Sequence, residues 1–137
     1  PHVKTHKTPH IVQMELDAGI TKQKCATLAE ARMLAESQMP DVLIAYPQVG
    51  PAVLRLAALV EEFPNTRFST VVDNAESLQQ LEAAFVQLAG RMDVLVDIDT
   101  GMHRTGGRDA ICASVGDGRP AVRRRSDAAQ AGMWWHS

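Results

Sequence analysis

Residues 41–46 read DVLIAY, an apolar run closed by Pro47. An uninterrupted apolar run of strand length fits a strand buried on both faces, the situation of a parallel sheet covered by helices. Parallel neighbours need crossovers of a dozen or more residues, and the flanking sequence supplies them. Val53, Leu54, Leu56, Ala57 and Val60 recur at helical spacing within residues 51–63, and Pro64 ends the pattern. Upstream, residues 19–26 read as a strand, and Thr27 with Glu30 forms a T-x-x-E capping box opening a helix that runs to about Gln38. Downstream, RFSTVVD (67–73) reads as a strand, Leu78, Leu81, Phe85 and Leu88 form the stripe of a helix over 74–90, and MDVLVDID (92–99) reads as a further strand. With PHVKTH as the first, the expectation is five strands and four intervening helices. Right-handed crossovers then predict an α/β fold: part of a (β/α)8 TIM barrel, or an open doubly wound sheet.

The 137 residues suit one domain of ordinary size, and 45% hydrophobic side chains suffice for a core. A formal charge of -2 gives no basic footprint for nucleic acid. Two cysteines are too few for a disulfide framework, no run of apolar residues is long enough to span a membrane, and no signal peptide is visible, so a soluble, cytoplasmic protein is expected. After Gly106 the periodicity fails. Residues 107–137 carry both tryptophans and the triplet Arg123, Arg124 and Arg125, which reads as a solvated patch rather than a nucleic-acid site. Two parts are therefore expected: a partial barrel over 1–106 and an irregular, disordered or foreign tail over 107–137.

Two stretches carry the chemistry. In an extended chain His2, Lys4 and His6 would share one face, so that two imidazoles flank an amine. Cationic neighbours and partial desolvation disfavour the ammonium form and favour the neutral amine that carbonyl addition requires. The ordinary alternative is a solvated surface lysine. A metal site made of His2, His6 and His10 would need all three on one helix, and Pro9 opposes that. The second stretch, DIDTGMHRTG (97–106), closes the last strand. Gly101 allows a sharp turn, Arg104 offers a fixed cation with a planar fork of donors, and Asp97 and Asp99 would share a strand face from which to orient it. Alternatively, Asp99 caps the strand end and Arg104 pairs with it. A calcium loop would need further oxygen ligands and a closing Glu, which are lacking.

PHVKTHK, CATLAEA, DVLIAYP, VVDN and DIDTGMHRTG, in that order, resemble the N-terminal barrel domain of the D-threonine aldolase and D-serine dehydratase family, fold-type III pyridoxal-phosphate enzymes related to alanine racemase. The resemblance covers residues 1 to about 106. It implies that Lys4 carries pyridoxal 5'-phosphate as a Schiff base, that Arg104 lies near the phenolic oxygen of the cofactor, and that His6 stands beside the Schiff base. It also implies a lyase acting on a small D-3-hydroxyamino acid, by aldol cleavage or by dehydration, in a full-length homodimer. A non-catalytic pyridoxal-phosphate binder or an amino-acid racemase of the same fold remains the alternative.

The family barrel has eight βα units and a following β-domain, whose residues hold a divalent metal in the members that need one. Five strands and no metal ligands are read here. The chain is thus expected to be a truncated piece, its preceding segment lost, retaining the lysine but not turnover, and prone to associate through uncovered edges.

Overall fold

The computed structural model describes residues 1–86 and 92–107, and the backbone of residues 122–124. Helix α1 (Pro9–Asp17) is followed by β1 (Lys22–Cys25), α2 (Leu28–Glu36), β2 (Asp41–Ile44), α3 (Pro51–Glu62), β3 (Arg67–Val72), α4 (Ala75–Phe85), β4 (Met92–Val96) and β5 (Val122–Arg124). The strands form one sheet in the order β1-β2-β3-β4-β5, and every neighbouring pair is parallel. This is the expected α/β architecture, the sequential strand–helix alternation of part of a (β/α)8 barrel.

Local chemistry sets the element ends. Thr27 Oγ1 accepts the Glu30 N–H at 3.2 Å, and Glu30 Oε2 accepts the Ala26 N–H at 2.8 Å, so the capping box forms with its return bond one residue early. Asn74 Oδ1 accepts from the Ser77 N–H at 2.8 Å and opens α4. Pro51 sits at the start of α3, where its missing N–H costs nothing.

Alternation then sorts the strand residues. Cys25, Val42, Ile44, Phe68, Val72, Met92 and Val94 belong to the apolar cluster shared with Leu34, Leu56, Leu81 and Phe85 of the helices. On the opposite face stand Lys22, Lys24, Asp41, Leu43, Arg67, Ser69 and Asp93. There Arg67 grips Asp93 with Nε and Nη2, each 2.6 Å from Oδ2.

The expected first strand is the main correction. Only His2 pairs with β1, through a single parallel bridge to Lys24, and Val3–Thr5 then form a 3-10 turn. The cause is local. His2 Nδ1 accepts the Lys4 N–H at 3.2 Å and the Val3 carbonyl accepts from the His6 and Lys7 N–H groups, so side-chain and turn bonds replace the ladder. His2, Lys4 and His6 therefore do not share a strand face. The expected irregular tail falls outside the described residues except for Gly107 and the three residues of β5, which add a strand to β4 where none is read from the sequence. Arg123 and Arg124 lie in that strand. Among the described residues no helix is long and apolar enough to cross a membrane.

Candidate functional site

The bridge from His2 to Lys24 sets the level of the N-terminal turn. With His2 opposite Lys24, Val3 stands level with Cys25, and Lys4 lies just past the C-terminal end of β1. The loop after β4 leaves from the same edge, because all strands run the same way. In sheets of this kind that edge is where ligands bind. Lys4 and Arg104 thus occupy one edge of the sheet but not one contact. Four strand spacings, roughly 19 Å along a flat sheet and less along a curved one, separate their elements.

The two lysines of PHVKTHK have different surroundings. Lys7 takes a positive φ of 49°, and its Nζ lies 3.2 Å from Oε1 of Glu30, a buried carboxylate at the start of α2. Burial works against the Glu30 anion, but the Ala26 N–H, the Lys7 ammonium and the Thr27 N–H together outweigh it and hold its pKa below the ordinary value. Lys4 is exposed and is party to no ion pair among the described residues. One lysine is committed to structure, while the other presents its amine.

Glu30 makes the acid side of the stability profile testable. A carboxyl whose folded pKa is depressed contributes its full stabilisation above its unfolded value and loses it as pH falls through the folded one. Glu30→Gln is expected to cost about 1 kcal/mol at pH 6, a gap that narrows as pH falls and the native carboxyl protonates, below the ordinary glutamate value. Urea midpoints of both proteins at pH 6 and pH 3 measure it, and a gap independent of pH would show that the Glu30 charge contributes nothing.

The histidines divide as well. Burial, then the Lys4 and Lys24 cations, lower the pKa of His2, which suits a ring that caps a turn as an acceptor. His6 Nδ1 accepts from the Thr8 N–H at 3.4 Å, and Nε2 lies 3.7 Å from Glu15 Oε2. Glu15, in α1, also accepts a hydrogen bond from Gln23 Nε2. The His6 ring thus faces Glu15 of α1, with Nε2 beyond hydrogen-bond distance of it. His10 lies in α1, away from the turn that holds His2, and among the described residues no group of three or more His, Cys, Asp or Glu side chains is placed to hold a metal ion. Burial, with the Glu30 charge behind it, pushes the Cys25 thiol up to about 12, so it is an inert core group.

The loop 97–107 is built around Asp99. Its Oδ1 accepts the N–H groups of Gly101 and His103, both at 2.9 Å, and its Oδ2 lies 2.7 Å from His103 Nδ1. The Asp99 side chain is 3% exposed and that of His103 61%. Strand β4 ends at Val96, and Asp97 continues it by one bond to the Val72 carbonyl. The loop closes through an isolated bridge of Ile98 with Gly107. Asp99 thus lies beyond the strand, and it organises the loop backbone and His103. Arg104 is exposed and joins no ion pair among the described residues. The spacing of four between Asp99 and His103, around a glycine, is the sequence signal for this pair.

A cavity of about 920 Å³ opens at the same edge between α2 and α3, lined by Ala26, Arg32, Tyr46, Val49 and Arg55 among others, but it includes neither Lys4 nor Arg104.

The alanine racemase N-terminal domain family model matches residues 1–132. Over 109 residues the chain is 37% identical to a D-threonine aldolase from Arthrobacter sp, covering 80% of this chain and 28% of that protein. The crystal structure of D-threonine aldolase from Filomicrobium marinum superposes with a TM-score of 0.71 at 30% identity, over 78% of this chain and 28% of that one. The chain therefore spans a little over a quarter of the length of either relative.

Proposed function

Because the chain belongs to the alanine racemase N-terminal domain family, we propose that it supplies the cofactor-anchoring part of a pyridoxal-phosphate-dependent lyase acting on small D-3-hydroxyamino acids. The observation that carries this reading is the division of labour between the two lysines. Lys7 is bound to Glu30, whereas Lys4 projects a primary amine at the C-terminal edge of a parallel sheet. The likeness to D-threonine aldolases supports the substrate class.

The residue types present fit the cofactor, provided that the sheet curves as in a barrel and so shortens the span between the two elements. A primary amine with no ion pair among the described residues suits an aldehyde, and a guanidinium likewise without one suits an oxygen anion. Bound pyridoxal phosphate supplies an electron sink for bond cleavage at the substrate α-carbon. Lys4 would give covalent anchorage, Arg104 would hold the phenolic oxygen, and the ion pair with Glu30 would keep Lys7 from competing for the same aldehyde. The complete enzyme is a homodimer in this reading, with residues outside this chain completing the pocket.

The test is an absorbance titration of the chain with pyridoxal phosphate, followed by borohydride and peptide mass mapping. A reducible band and a pyridoxyl group on the peptide containing Lys4 are expected, lost in Lys4→Ala and kept in Lys7→Gln. Equal bands in wild type and Lys4→Ala would remove Lys4 from the site.

A further inference from the structure

We propose that the Asp99–His103 pair is a positioning dyad that locks the loop after β4 and thereby fixes Arg104 for its anionic partner. The inference rests on the cofactor reading above for the identity of that partner.

Three observations carry it. First, the carboxylate of Asp99 is almost fully buried and is shared between two loop N–H groups and one imidazole nitrogen. A carboxylate oxygen accepts, so in the 2.7 Å contact Nδ1 of His103 is the donor, and the other ring nitrogen is left to solvent. A carboxylate that selects one tautomer and one orientation of an imidazole is the arrangement by which proteins hold functional histidines and their neighbours in place. Second, His103 sits at a φ of 53°, a left-handed conformation that costs a residue with a Cβ. Two bonds from Asp99 to the same residue, one to its N–H and one to its ring, offset that cost. Third, Arg104 follows His103 directly, and no ion pair among the described residues restrains its guanidinium. Its position therefore depends on the backbone that delivers it, and that backbone is held at residue 103.

A long side chain free to rotate loses entropy on binding an anion. A backbone fixed one residue away reduces that loss and aims the fork of donors. His103 need not touch the cofactor for this. Its effect passes through Arg104.

The experiment is a pyridoxal-phosphate titration of wild type, His103→Ala, His103→Asn, Arg104→Ala and the His103→Ala/Arg104→Ala double variant. His103→Ala is expected to weaken binding about tenfold. His103→Asn should recover most of the loss, because Asn tolerates the left-handed conformation and its amide can donate to Asp99. In the Arg104→Ala background, removal of His103 should change affinity less than twofold, the non-additivity of residues acting as one unit. A merely structural histidine would give additive losses and overturn the proposal, as would wild-type affinity in His103→Ala. In the nitrogen NMR spectrum Nδ1 of His103 should be protonated, and a bare Nδ1 would remove the bond to Asp99 from the argument. Failure of the underlying reading looks different: wild type itself would show no reducible band, and both proposals would fall.

Discussion

Replacing Gly106 by alanine is expected to release the loop after β4 while leaving the rest of the sheet intact. Gly106 has a φ of 101°, and a Cβ built there would stand 2.4 Å from the Asp99 backbone nitrogen and 2.8 Å from the Ile98 carbonyl carbon. Both are main-chain atoms of a bridged segment, so neither can swing aside. The left-handed φ alone costs a residue with a Cβ about 1–3 kcal/mol, and the overlap adds to it. The cheapest relief is to break the two bonds that dock the loop, Asp99 N–H to the Gly107 carbonyl at 3.2 Å and Gly107 N–H to the Asp97 carbonyl at 3.0 Å. Loss of these frees Asp99, His103 and Arg104 together. Hydrogen exchange is the measurement: the Asp99 and Gly107 amides should lose protection in Gly106→Ala, while amides of β2 and β3 keep theirs. Cofactor affinity should fall at least as far as in Arg104→Ala. Gly101→Ala is the control, since a Cβ there meets nothing within 4 Å and only the backbone strain remains. Equal protection in the two variants would mean that the close approach at Gly106 does not hold the loop.

How far the fold could be read in advance depended on which forces decided each element. Asp41–Ile44 and Arg67–Val72 were legible because burial on both faces leaves an apolar run of strand length, and nothing local competes with it. The start of α2 was legible because a capping box is a contact between residues three apart. The N-terminal segment was misread for the opposite reason. Alternation in PHVKTH suggests a strand, but His2 Nδ1 captures the Lys4 N–H two residues away, a bond that no periodicity shows. Lys4 thereby came to lie on a turn, exposed, rather than on a strand face between two imidazoles. At DIDTG the residue types suggest charge chemistry, and the loop that carries Arg104 follows the C-terminal end of β4. What Asp99 binds was not legible, because it follows from the left-handed turn at His103 and the return of Gly106 and Gly107, features of backbone path rather than composition. Lys7 was likewise opaque: its partner Glu30 is more than twenty residues away, and only the parallel packing of the first turn onto β1 and α2 brings them together.

The second large effect lies in the core, where Phe68→Ala is expected to cost about 3–5 kcal/mol in equilibrium unfolding. Phe68 is 1% exposed, on the helix-facing side of β3, and its register partner Val42 is fully buried beside it. Truncation removes the apolar area of a whole ring. It also leaves a cavity bounded by strand backbone that is pinned on both sides by β2 and β4, so the gap cannot close by moving the strand. Against a total stability of about 5–15 kcal/mol for a domain, this is a fifth or more, enough to shift the urea midpoint well below that of wild type. Leu54→Ala on α3 provides the contrast. Leu54 fits the same helical pattern as Val53 and Leu56, yet it is 67% exposed, and its removal should change stability by about 0.5 kcal/mol or less. Equal losses in the two variants would mean that Phe68 is not in the packed interior and that the sheet does not bury its helix-facing side as described. A large loss at Phe68 alone ties the site to the core, since the β3 strand that Phe68 anchors carries the Val72 carbonyl that receives the Asp97 N–H at the root of the Arg104 loop.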